Sequence, residues 1–249
     1  MKTQLPRTPS LTALLVIVIA LAFAPGQARA NPLDVSRQLV LVLADTWESR
    51  RGEMRLYERA PGGVWKRRGG AVEVELGKNG LGWGLGLHGE PGDGPVKREG
   101  DGKAPAGIFR ISGAFGYAPA RKLEVPYMHA SDTAVCVDDA KSSRYNSAFD
   151  SSSVPGRDWK SAEDMRRKDR QYELGLFVDH NSQPAVPGAG SCIFMHVREG
   201  KGKYTSGCTA MTLKEMERLA SWLEASKNPV LVQIPRAERS RFTSLYGTP

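Results

Sequence analysis

Residues 69–116 read GGAVEVELGKNGLGWGLGLHGEPGDGPVKREGDGKAPAGIFRISGAFG, and more than half of the chain's 27 glycines fall in them. Glycine weakens a helix by about 1 kcal/mol relative to alanine and permits turns and close backbone approaches. The stretch therefore predicts strands and turns. Inside it, Val72-Glu73-Val74-Glu75-Leu76 alternates strictly, as does a strand with one buried and one wet face. After Gly107, Ile108-Phe109-Arg110-Ile111 predicts another strand. On the N-terminal side, Pro61-Gly62-Gly63 separates residues 54–57 from 64–66 and predicts a hairpin. Leu39-Val40-Leu41-Val42-Leu43 is a short continuous apolar run, the pattern of a buried strand.

Helical signals are few. The charged stretch from Ser161-Ala162-Glu163-Asp164 to about Tyr172 predicts a helix. Thr212-Leu213-Lys214-Glu215 fits a capping box, in which threonine and glutamate each satisfy a free backbone N–H. Met216, Leu219, Ala220 and Leu223 then fall on one helical face. Asn228-Pro229 ends that helix, and residues 230–234 resume as a strand. Residues 236–249 are mostly polar and predict a loosely held tail. The fold class expected is mainly β with a few helices (α+β), in one domain over residues 38–235 after a short segment at 31–37.

The first 30 residues carry the layout of a secretory signal peptide. Lys2 and Arg7 are basic, residues 11–24 are almost wholly apolar, and Ala28-Arg29-Ala30 offers small residues at the usual cleavage spacing. The apolar run is shorter than the roughly 20 residues a membrane span needs. Removing Lys2, Arg7 and Arg29 from the formal +8 leaves about +5 on the mature chain. A basic exported protein favours an anionic polymer such as a cell wall; export argues against a nucleic-acid partner. Export also implies a compartment in which thiols pair. With three cysteines, one is left over. The count alone does not choose among three pairings. The setting of Cys208 marks it as the free thiol, which predicts a Cys136–Cys192 disulfide; the alternative is three free, buried thiols.

Gly84-Leu85-Gly86-Leu87-His88-Gly89 matches the glycine pattern of dinucleotide sites. That pattern needs a following helix, and Glu90-Pro91-Gly92-Asp93-Gly94-Pro95 cannot supply one. Cys192, His196, Cys208 and His180 are conceivable zinc ligands but lack a closely spaced cysteine pair. Asp179-His180 is either an acid–base pair near a site or a hydrogen-bonded pair at a strand end. The strongest constellation is Met195-His196 followed by Thr205-Ser206-Gly207-Cys208-Thr209-Ala210-Met211. Residues 191–195 read as a strand with His196 near its end, and the capped helix is expected just after Cys208. A cysteine between a glycine turn and a helix start can be a nucleophile. Backbone N–H groups near it can meet an oxyanion, the helix terminus can favour the thiolate, and His196 can take the proton. The competing readings are a buried structural thiol and a core histidine.

The segment from His196 to Met211 resembles the signature of the L,D-transpeptidase (YkuD) catalytic domain: a histidine, a loop, then Ser/Thr-x-Gly-Cys. Lys103-Ala104-Pro105-Ala106-Gly107-Ile108-Phe109 resembles its Pro-x-Gly-x-Phe segment. The resemblance implies a mixed β-sandwich, with Cys208 as nucleophile, His196 as general acid/base and the backbone near Gly207 and Cys208 as oxyanion donors. It implies an exported transpeptidase of the periplasm or cell wall that works on peptidoglycan stem peptides through a thioester. It requires no metal or organic cofactor, no nucleic acid, and no membrane after signal cleavage. Thr205, Ser206, Arg198 and Lys203 beside the site are candidate substrate contacts. Ser206 stands where the family usually has histidine, and Ala210 where it has arginine or asparagine. The loop after His196 is short. These departures leave open a hydrolase on the same bonds, and a wall-binding module with a structural cysteine remains the alternative outside enzymes.

Overall fold

A computed structural model describes residues 31–249, which make one compact unit. The leader expected over residues 1–30 lies outside the described residues. No helix among the described residues is long and apolar enough to cross a membrane.

The protein is mostly strand. In chain order these are β1 (Gln38–Ala44), β2 (Arg51–Glu58), β3 (Lys66–Glu75), β4 (Leu81–Trp83), β5 (Ala104–Gly116), β6 (Tyr127–His129), β7 (Ala134–Cys136), β8 (Ala148–Asp150), β9 (Glu163–Asp164), β10 (Leu174–Val178), β11 (Phe194–Val197), β12 (Thr209–Met211) and β13 (Val230–Pro235). Two α-helices accompany them, α1 (Leu213–Trp222) and α2 (Arg239–Tyr246). The main sheet runs β10-β11-β12-β3-β2-β1-β13-β5-β4, and β10 also pairs with β5, so the ladder closes on itself. A second sheet, β8-β7-β9, stands apart from it. This is the mainly-β, α+β class that the glycine-rich stretch predicts.

The apolar run of β1 is buried at every position, between antiparallel β2 and parallel β13. The hairpin around Pro61-Gly62-Gly63 forms, and β3 pairs with β2 on both sides of a bulge at residues 69–71. The alternation expected there fails at one residue: Glu75 is buried with Val74 and Leu76. Its carboxylate is compensated rather than solvated. It accepts the Gly202 N–H at 2.8 Å and faces Arg51 at 3.4 Å and Arg198 at 4.0 Å. The capping box of α1 is present, with the Thr212 hydroxyl and Glu215 carboxylate each answering the other's N–H. Met216, Leu219 and Ala220 are buried, as is Leu223 just beyond the helix.

Two expectations are corrected. Residues 161–172 are not a helix: Glu163–Asp164 pair with β7 and the rest is turns. A helix would stack Arg166 on Arg170 at like-charge i,i+4 spacing, which is unfavourable. Instead Arg167 grips Asp169 in a tight turn, and Tyr117 donates to the Arg167 carbonyl at 2.7 Å. Residues 236–249 are not a loose tail either. They form a short 3-10 turn and α2, whose Phe242 is buried against Trp83, and the Tyr246 hydroxyl accepts the Gly89 N–H at 2.9 Å. A large buried aromatic supplies much of the apolar contact that docks a polar segment.

Candidate active site

Cys208 and His196 are delivered by adjacent strands. β11 and β12 run parallel, with Met195 beside Thr209 and His196 beside Ala210. Cys208 precedes β12 by one residue, at the level of Phe194, whose N–H points at the sulfur at 3.3 Å. Alternate residues share a face of a sheet, so the two side chains project from one side. They are offset by two strand rises, roughly 7 Å along the strand. Behind them, the Thr209 hydroxyl donates to Gln233 Oε1 at 2.7 Å, and Gln233 Nε2 donates to the Pro105 carbonyl at 2.9 Å. This buried amide ties the cysteine segment to β13 and β5.

Both groups are neutral at rest. Cys208 is the free cysteine and is 7% exposed; His196 is 3% exposed. Burial, then the nearby Glu163 carboxyl, push the thiol up to about 12. Burial brings the imidazole down to about 4. His196 Nδ1 lies 2.9 Å from the Val197 carbonyl, which can only accept, so Nδ1 carries the hydrogen and Nε2 is the basic nitrogen. That carbonyl fixes the tautomer and the orientation of the ring. The thiol hydrogen points to the Cys192 carbonyl at 3.6 Å. No hydrogen bond joins Cys208 to His196 among the described residues. The helix expected just after Cys208 is displaced by β12, and its N-cap is Thr212. No helix terminus therefore lies at the thiol to lower its pKa.

The other expected residues fall into two groups. Thr205 is buried and braces the turn: its hydroxyl donates to the Cys208 carbonyl at 2.6 Å and accepts the Gly207 N–H at 3.1 Å. Gly207 has φ +151° and sits against the Lys103 carbonyl, where a Cβ would come within 3.0 Å. Its N–H is engaged by Thr205 in this state rather than turned toward the thiol. Ser206 and Lys203 are exposed on the loop. Arg198 faces Glu75 beneath that loop, which gives it a structural partner. The Cys136–Cys192 disulfide is present, with Cα atoms 6.0 Å apart. Cys192 is thereby unavailable as a metal-binding thiolate.

Asp179 and His180 do not act as a pair. Asp179 accepts from the Ser112 hydroxyl. His180 is buried, accepting the Leu85 N–H on Nδ1 at 3.2 Å and facing the Ala189 carbonyl with Nε2 at 3.0 Å. The glycine-rich run before it lies flat on β5: a Cβ on Gly86 would meet the Ile108 carbonyl at 2.3 Å. Close packing accounts for its glycines.

Four residues at the site were not anticipated. Tyr172 packs its ring edgewise on His196, centroids 5.3 Å apart, and donates to Glu163 Oε2 at 2.6 Å. Arg167 lies over the Tyr172 ring. Lys97 is buried, held by Asp101 and the Arg98 carbonyl, each at 2.6 Å. Arg167 and Lys97 both favour the Cys208 thiolate, against Glu163. The only sequence signal for Tyr172 and Glu163 was a helical pattern that did not form; a lysine inside a glycine-rich stretch gives no sign of burial.

The family model of the L,D-transpeptidase catalytic domain, YkuD, matches residues 53–232. No curated protein matches this chain.

Proposed function

The chain belongs to the YkuD family of L,D-transpeptidase catalytic domains, and from that premise we propose that it is an exported cysteine acyltransferase acting on peptidoglycan stem peptides. Cys208 is the nucleophile and His196 the general acid/base. The observation that carries this reading is the free Cys208 thiol on the same sheet face as a histidine whose Nε2 is unprotonated. Two of the three cysteines are consumed in a disulfide, so the third is left for chemistry.

In the mechanism, His196 Nε2 removes the thiol proton as sulfur attacks the amide carbonyl before the terminal D-amino acid. Transfer between two neutral groups suits a dry site, because no buried thiolate has to be maintained beforehand. Catalytic hydrogen bonds are often long until substrate binds. The tetrahedral oxyanion draws on backbone N–H groups near Cys208, with Gly207's freed from Thr205 as the turn adjusts. The imidazolium returns its proton to the leaving amine, and a thioester remains. An amine of a second stem or a free D-amino acid then resolves it. Ser206 and Lys203 are the exposed loop residues open to substrate, and Arg198 steadies the loop through Glu75. Residues 1–30 act as the export signal, and the disulfide suits an oxidising destination in the periplasm or cell wall.

The test is mass analysis of purified muropeptides incubated with the protein and with Cys208→Ala. New dimers or exchanged D-amino acids that vanish in the variant support transfer. Shortened monomers alone mean hydrolysis, and no change with either protein favours a wall-binding module.

A further inference from the structure

Glu163 has no part in the chemistry above, yet it stands beside the nucleophile. On β9 it pairs in register with Cys136. Cys136 is bonded to Cys192, and the Cys192 carbonyl receives the Cys208 thiol hydrogen. Its Oε2 accepts the hydroxyl of Tyr172, the ring that rests on His196. Oε1 has no hydrogen bond among the described residues, and the residue is partly exposed. No cation stands at ion-pair distance from it among the described residues: Arg167 is near enough to favour its charge, but its guanidinium is hydrogen-bonded to Asp169. A carboxylate with one oxygen anchored and one without a hydrogen-bond partner, close to a thiol site, suits a cationic nitrogen.

Resting on the acyl-enzyme reading of Cys208, we propose that Glu163 selects an ammonium-bearing acceptor over water at the thioester. An amine near neutral pH arrives as R′–NH3⁺, whereas water carries no charge. Oε1 of Glu163 holds the ammonium, which gives one proton to His196 Nε2. The freed nitrogen lone pair attacks the thioester carbon and forms the C–N bond. The C–S bond breaks, the nitrogen loses its second proton, and the Cys208 sulfur takes up the proton from His196. The balance is thioester plus R′–NH3⁺ giving amide, thiol and H⁺. Hydrolysis gives acid and thiol from thioester and water, with no cation for Glu163 to hold.

The surrounding charges fit this role. Burial raises the pKa of Glu163, and Asp138 and Glu99 act in the same sense; the Tyr172 hydroxyl and Arg167, on the turn after β9, favour its anionic form. An entering ammonium favours ionisation, so binding and charge are linked. Lys97 and Arg167, on other segments, favour the thiolate through their charge, although their head groups are held by Asp101 and Asp169.

The experiment uses the disulfide-intact protein, a tetrapeptide muropeptide donor and two competing acceptors. D-alaninamide is cationic near neutral pH; hydroxylamine is largely uncharged. Both partition from one thioester, so their product ratio is independent of the acylation rate. Glu163→Gln, which keeps an oxygen for Tyr172, should lower the D-alaninamide to hydroxylamine product ratio roughly tenfold, the scale of one charge-assisted hydrogen bond. Glu163→Asp, with its charge on a shorter arm, should retain most of the preference. If Glu163→Gln does not fold, Glu163→Met is read in its place. An unchanged ratio in the neutral variant, or equal loss in the neutral and aspartate variants, overturns the proposal and leaves the acyl-enzyme intact. No acylation of the wild type overturns both.

Discussion

Acidifying the protein from pH 7 to pH 5 should lower its folding stability by about 5 kcal/mol. His88, His180 and His196 are all buried, and burial brings each down to about 4. In the unfolded chain each titrates near 6.5. The folded pKa is the depressed one, so the stability from each neutral ring is complete above about 6.5 and is lost as pH falls toward 4. In that window the unfolded state binds up to three protons that the folded state refuses. Linkage gives a slope approaching 4 kcal/mol per pH unit where all three respond together. Integrated from pH 7 to 5, each ring contributes about 2 kcal/mol. The rings cannot escape by local movement: His88 accepts the Ile108 N–H, His180 the Leu85 N–H, and both flank Phe109 with centroids 5.9 Å away. Glu163 and Asp179, raised by burial, act in the opposite sense and temper the loss. The assay is urea unfolding at half-unit steps from pH 7.5 to 4.5 with the disulfide intact. His88→Asn, which keeps an acceptor for Ile108, should reduce the slope by about one proton. Stability that stays flat between pH 7 and pH 5 would falsify the assignment of three neutral buried histidines.

Replacing Cys136 and Cys192 together by serine should cost about 4 kcal/mol by the loop-closure model for a separation of 56 residues, read by denaturant midpoint; a change below 1 kcal/mol would mean that the loop 136–192 is held by other contacts. Phe242→Ala should destabilise by about 3–5 kcal/mol, as no loosely held tail could, and an unaltered melting temperature would return residues 236–249 to that status. His196→Ala should slow acylation by ~10²–10⁴-fold, measured as D-amino acid release in a single turnover, and an unchanged rate would remove it as the base. Thr212→Ala should cost about 1 kcal/mol through the capping box, and it should leave the thiol's alkylation rate alone because β12 separates the two.

Local chemistry in the sequence determined the strand-rich class, the β1 run, the 61–63 hairpin, the α1 capping box, the disulfide pairing and the free Cys208. Each rests on neighbours in the chain or on a count of thiols, and short-range rules apply to both. Tertiary structure alone decided the rest. Glu75 reads as the wet face of an alternating strand but is buried, because Arg51, Arg198 and the Gly202 N–H reach it from other elements. The stretch 161–172 has charges enough for a helix, but pairing of Glu163 with β7 and docking of Tyr172 outweigh a weak propensity. The thiol's environment is the sharpest case. A glycine turn before a capped helix suggests an activated thiolate; the intervening strand and burial among Tyr172, Phe194 and Cys192 make it a buried neutral thiol instead. The charges at that sulfur come from residues 41 to 111 positions away in sequence, and no local pattern encodes what folding brings to a single atom.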